Sequence, residues 1–189
     1  MILLISEPFP FQKTLLIALI GAIIGQSLVI LIGWIKKQID LSRKKQMIVN
    51  DLNNQNIILK ELTKKHLELK RLFENRKTEQ FTSSIYHVLQ LDIYQSVQKN
   101  ELHSIFKKDL SVLVEVYKSI EFIKNNGPYW IYKDYLEKSE RHLEETVNKS
   151  NYVFYDETHI GFMEIAMNNI ENNLRTIQDT ISKIEKLTE

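Results

Sequence analysis

Residues Thr14–Ile35, TLLIALIGAIIGQSLVILIGWI, run for 22 positions without a charge. Lys13 bounds the run on one side and Lys36-Lys37 on the other. As an α-helix it rises about 1.5 Å per residue and spans about 30 Å, the thickness of a bilayer's hydrocarbon core. A transmembrane helix over 14–35 is therefore expected. A cleaved signal peptide fits less well: the apolar run is too long, no small-x-small site follows, and the Lys pair comes directly after it.

The flanks predict an orientation. Residues 1–13 carry one basic side chain, Lys13, whereas Lys36, Lys37, Arg43, Lys44 and Lys45 crowd the other end. The Lys/Arg bias places the C-terminal part in the cytoplasm of a bacterial cell and residues 1–13 outside the inner membrane, as a short extracytoplasmic tail. Trp34 falls at the expected interface.

Formal charge is +1 over the 189 residues, yet it is unevenly spread. Residues 36–77 carry twelve Lys/Arg against five Asp/Glu, and residues 78–189 twelve against eighteen. This divides the water-exposed part into a basic juxtamembrane stalk (36–77) and an acidic domain (78–189). No cysteine is present, which excludes disulfides, thiolate metal sites and a cysteine nucleophile.

Three of the five glycines lie in the membrane run, and neither Gly nor Pro occurs between Trp34 and Asn126. Such a stretch predicts helices joined by short polar segments, so the fold class is all-α: one transmembrane helix and a bundle of about five helices. The sequence Asn50-Asp51-Leu52-Asn53-Asn54-Gln55-Asn56 forms helix poorly and predicts a break or hinge. Helices are then expected over 57–77, 80–97, 104–124 and 128–147. Asn125-Asn126-Gly127-Pro128 supplies the stop after the third of these. Residues 148–158 form the longest expected loop.

The last helix has the clearest pattern. Ile160, Met163, Met167, Ile170, Leu174, Ile177, Ile181 and Ile184 follow an unbroken 3-4 spacing. This is a heptad seam. It serves either as the core-facing stripe of a bundle within one chain or as a coiled coil between chains. Its Leu and Ile arrangement makes four subunits the first expectation for the second case.

No catalytic motif is present. The water-exposed part has only Gly127 and Gly161, too few for a phosphate-binding loop, and it lacks a His-Glu-x-x-His helix and a Gly-x-Ser-x-Gly elbow. The five histidines are scattered. Tyr155-Asp156-Glu157-Thr158-His159 is the one dense polar cluster, and it reads more simply as a solvated helix start than as metal ligands. No enzyme activity, metal or cofactor is expected.

Two patterns point elsewhere. Gly21, Ala22, Gly25 and Gly33 give the membrane helix a small-residue face, with Gln26 beside it near mid-membrane. A carboxamide in hydrocarbon needs a partner, so this face predicts homo-oligomerisation. In the stalk, Lys64, Lys65, Arg71, Arg76 and Lys77 form either a solvated face or a site for an anion such as a nucleotide.

The overall layout resembles that of small membrane effectors of bacterial antiphage defence, such as those of type III CRISPR systems gated by cyclic oligoadenylates. The resemblance lies in architecture alone, and it carries over no functional positions. It implies an oligomer whose cytoplasmic domain binds a nucleotide signal and disturbs the membrane. The alternative is a static anchor or scaffold for a cytoplasmic protein partner.

Overall fold

The computed structural model describes residues 10–81, 89–147 and 157–188. Residues 1–9 of the expected tail 1–13, most of the loop at 148–158, and positions 82–88 of the helix expected over 80–97 lie outside the described residues. The fold class is all-α, and no strand occurs among the described residues. In chain order the helices are α1 (Pro10–Glu74), α2 (Asp92–Ser96), α3 (Lys99–Phe106), α4 (Leu110–Asn125), α5 (Pro128–Val147) and α6 (Glu157–Thr188). Single 3-10 turns stand at Thr78–Gln80 and Lys107–Asp109.

The chain divides into two compact units, Met1–Lys44 and Lys45–Glu189. In the first, every side chain from Thr14 to Ile35 is exposed. This helix is long and apolar enough to cross a membrane. Gly21, Gly25 and Gly33 leave open space where a Cβ would stand.

In the second unit, the hinge expected at Asn50–Asn56 is absent: α1 runs straight through it. Ile48, Leu52, Gln55, Leu59, Leu62, His66, Leu69 and Phe73 are all buried, at spacings that alternate four and three. The stripe keeps its period across the asparagines, whose positions 50, 53 and 54 fall on the exposed side. Packing of an amphipathic face outweighs poor intrinsic propensity.

α1 ends at a Schellman motif. Lys77 N–H donates to Leu72 O (2.8 Å) and Arg76 N–H to Phe73 O (3.0 Å). Arg76 takes the left-handed conformation, φ 56°, that this cap requires.

The helix expected over 80–97 is corrected. Phe81 is extended, Leu89 and Gln90 lie outside any helix, and among the described residues of that span only Asp92–Ser96 is α-helical. The Gln90 carbonyl instead accepts from Gln55 Nε2 at 2.7 Å. The helix expected over 104–124 is likewise two, α3 and α4, separated at Lys107 with φ 39°. The expected α5 and its Gly127-Pro128 start are found as read.

α1 and α6 run antiparallel in this unit. Lys60 pairs with Glu185 (3.2 Å), and further along α1 Lys70 pairs with Glu171 (2.9 Å). Lys183 of α6 reaches back to Glu115 of α4 (3.0 Å). The face of α6 that packs inward is not quite the apolar seam of the sequence. Met163, Ala166, Ile170, Asn173, Ile177, Thr180 and Ile184 are buried, whereas Met167, Leu174 and Ile181 are half-buried at the flanks. Ile160 is exposed.

Among the described residues the core has two apolar clusters. The larger gathers Ile48, Leu52, Leu59 and Leu62 of α1 with Leu113, Tyr117 and Ile120 of α4 and Ile177 and Ile184 of α6. The smaller joins Leu69 and Phe73 to Ile131 and Tyr135 of α5 and to Met163 and Ile170 of α6. Between them along both helices lies a buried polar layer. Asn173 Nδ2 donates to His66 Nε2 (3.2 Å) and to the Asn126 carbonyl, and His66 Nδ1–H donates to Leu62 O (2.8 Å). These bonds fix the tautomer, because each acceptor faces one N–H. They also tie α1 and α6 to the α4–α5 turn.

Candidate functional site

The buried stripe of α1 leaves Lys64, Leu67 and Arg71 on the opposite side of the helix, at steps of three and four. Lys64, Leu67, Glu68, Arg71 and Leu72 line an open recess of about 370 Å³. The surrounding charges sort into two kinds. Lys60, Lys65 and Lys70 are paired, with Glu185 (3.2 Å), Glu68 (2.6 Å) and Glu171 (2.9 Å). The side chains of Lys64 and Arg71 make no ion pair among the described residues. The one acid in the recess, Glu68, is already countered by Lys65. The recess therefore presents two positive charges that make no ion pair among the described residues, one carboxylate and two leucines.

The Lys70–Glu171 hydrogen bond raises the lysine and lowers the carboxyl relative to their ordinary values. Both groups are committed to a structural pair across α1 and α6. Of the five basic residues expected to bind an anion, the structure places Lys64 and Arg71 on the recess. Lys65 is paired with Glu68 and is not among the lining residues, and Arg76 and Lys77 lie past the end of α1. Leu67 and Leu72 are walls that charge patterning alone does not reveal.

Lys64 and Arg71 lie two helical turns apart, about 10 Å along the axis. Long flexible side chains can span that distance to an elongated anion carrying more than one negative charge. The leucines offer apolar surface to a ring or chain attached to it. Among the described residues, no group of three His, Cys, Asp or Glu could hold a metal ion.

A second recess, of about 380 Å³, opens near the start of the unit, with Asp51, Gln55, Ile57, Ile58, Gln90 and Ile93 among its walls. Its polar side is ordered. Tyr117 Oη–H donates to Asp51 Oδ2 at 2.6 Å, and the Tyr117 ring stacks on Tyr94 at 4.1 Å between centroids. Burial and the Asp51 carboxylate push the Tyr117 phenol upward, so it stays a donor. Gln55 Nε2 donates to Asp51 Oδ1 (3.3 Å) and to Gln90 O (2.7 Å). Asp51 and Gln55 stand four residues apart on the mainly apolar buried face of α1, and that spacing is the sequence signal for this group. The hinge expectation obscured it.

Comparisons with protein-family models, with curated proteins and with solved structures find no match for the chain.

Proposed function

We propose that the chain is a single-pass membrane protein whose C-terminal helical unit binds an anionic ligand, with a nucleotide signal as the leading class. The observation that carries this reading is the recess with two unpaired cations, Lys64 and Arg71, among neighbours that are paired. The apolar helix of the first unit supports the anchor. Ligand binding then acts on an oligomeric membrane segment, as in the antiphage effectors whose layout the chain resembles. The scaffold reading has no comparable observation in its favour.

The experiment is a thermal-shift screen of the full chain in detergent with linear and cyclic nucleotides. A ligand at a hundred times its dissociation constant adds about 2.7 kcal/mol to the folded state. For a unit of this size that is a rise of about 5–10 °C in Tm. The Lys64→Glu/Arg71→Glu variant should show no rise while keeping its own Tm within about 2 °C, since both side chains are exposed. No rise for the unaltered chain with any nucleotide would refute the anion site and leave the scaffold.

The orientation proposed is N-terminus outside and residues 40–189 in the cytoplasm, from the five basic residues at 36–45. A reporter fused after Glu189 should be active only in a form that works in the cytoplasm. Alkaline phosphatase activity there would reverse the assignment.

Association is proposed through the face of Gly21, Ala22, Gly25, Gln26 and Gly33. Four subunits were expected from the α6 seam, but one chain already buries much of that helix face, so the membrane helix now carries the oligomer proposal. Gly25→Leu should shift the detergent-corrected mass toward monomer without lowering the Tm of the C-terminal unit. A monomeric parent chain would remove the oligomer.

A further inference from the structure

The first unit carries three cations in excess of its acids just past the apolar run. Lys36, Lys37 and Arg43 are exposed, and none of them makes an ion pair among the described residues. Asp40 is the one acid between Lys36 and Lys44, and Lys44 holds it at 2.8 Å. Exposed apolar side chains stand among the cations. Lys36, Ile39 and Arg43 follow one another at steps of three and four, and Trp34 lies three positions before Lys37. Each cation therefore shares a helix face with an apolar neighbour. Trp34 is 59 % exposed and Ile39 55 %.

Helix geometry turns these groups toward a lipid surface. Side chains on an α-helix lean toward its N-terminus, so those that follow the apolar run lean back toward it. Lys36 and Lys37 come directly after Ile35, where the run stops. Arg43 lies about 12 Å past Ile35 along the axis, and its long side chain returns part of that way. The polar layer outside the hydrocarbon is about 5–8 Å thick, within reach of all three. A soluble anion leaves Trp34 and Ile39 uncovered. A phospholipid offers a phosphate to the cations and glycerol and acyl groups to the apolar side chains. A zwitterionic headgroup brings its own ammonium beside the phosphate, so unpaired cations favour a lipid of net negative charge. We propose that Lys36, Lys37 and Arg43 bind the headgroup phosphates of anionic phospholipids, with Trp34 and Ile39 against the apolar part of the same lipids. The proposal rests on the membrane-anchor reading and is independent of the Lys64/Arg71 recess.

The test uses Trp34 as the reporter. The chain has two tryptophans, Trp34 and Trp130, so the full chain with Trp130→Phe fluoresces from Trp34 alone. It is reconstituted in bilayers of phosphatidylcholine and phosphatidylglycerol, one or the other brominated high on its acyl chains. Bromine quenches an indole on contact, and the same composition in both leaflets makes the result independent of orientation. Quenching across mixtures gives the relative affinity of the two lipids for the helix surface. Phosphatidylglycerol should be favoured by about fivefold or more, the scale set by one basic side chain at an anionic surface. Lys36→Gln/Lys37→Gln/Arg43→Gln should bring the ratio to about one. Lys108→Gln/Lys118→Gln/Lys124→Gln removes the same charge from exposed positions of the C-terminal unit and should leave the ratio unchanged. Equal affinity for the two lipids, a ratio kept in the first triple variant, or an equal loss in the second would each overturn the headgroup site. If neither brominated lipid quenches Trp34, the membrane helix itself is refuted and the proposal falls with it.

Discussion

Replacing Ile177 with aspartate is expected to unfold the C-terminal unit. Ile177 is fully buried in the larger apolar cluster, against residues of α1 and α4. Loss of an isoleucine-sized side chain from a core costs about 2–5 kcal/mol. A carboxylate forced into the same space adds several kcal/mol more. The sum is comparable to the roughly 5–15 kcal/mol that holds a whole domain together. Ile165→Asp on the same helix gives the control. Ile165 is 48 % exposed, and the change there should stay within about 0.5 kcal/mol. Leu174→Asp, on the half-buried flank, should fall between them. Urea unfolding followed by near-ultraviolet circular dichroism reads all three, because that signal reports the fixed aromatic packing of the C-terminal unit, such as Tyr117 on Tyr94 and Phe73 against Tyr135. Equal losses at positions 165 and 177 would refute the facing of α6.

That ordering also marks what sequence patterning could and could not deliver. The period of α6 was legible, and so was one half of its buried face: Met163, Ile170, Ile177 and Ile184. The other half was misassigned by one position per heptad. Hydrophobicity favours Met167, Leu174 and Ile181, yet the helix turns Ala166, Asn173 and Thr180 inward. Asn173 is the reason that can be named. Its carboxamide binds His66 Nε2 and the Asn126 carbonyl. A small residue at 166 then allows close packing in the adjoining cluster.

The same cause hid the run of α1. Its stripe contains Asp51, Gln55 and His66, three polar residues that interrupt an apolar count but not the geometry. Each finds a partner far along the chain: Tyr117, Gln90 O and Asn173. Such partners lie 35 to 107 residues away in sequence. No local pattern can announce them. The candidate anion site was half legible for a related reason. Charge runs identify cations but not which ones are paired, and three lysines on this segment of α1 turn out to hold acidic partners.

Acid should loosen the unit through His66. The imidazole is fully buried and neutral, with its proton on Nδ1 toward Leu62 O and its Nε2 accepting from Asn173. A second proton would have to sit on Nε2, facing the Asn173 amide hydrogens, where two donors oppose each other. Burial is the main cause that lowers the pKa from 6.5 to about 4, against a smaller upward pull from the Leu62 carbonyl. Between those values the unfolded chain binds a proton that the folded chain refuses. Stability from this group is thus complete above about pH 6.5, declines as pH falls through the window, and is gone below about pH 4. The gap corresponds to about 3 kcal/mol. His66→Gln keeps a donor for Leu62 O and an acceptor for Asn173 but cannot titrate. Carboxylates such as Glu171, held low by Lys70, also lose stabilisation in acid, but they do so equally in both proteins. The expected result is a variant somewhat less stable than the parent at about pH 7 that loses about 3 kcal/mol less on going to pH 4. Urea unfolding at a series of pH values measures both curves. Parallel curves would mean that His66 titrates at its ordinary value, and that the polar layer between the two clusters is open to water.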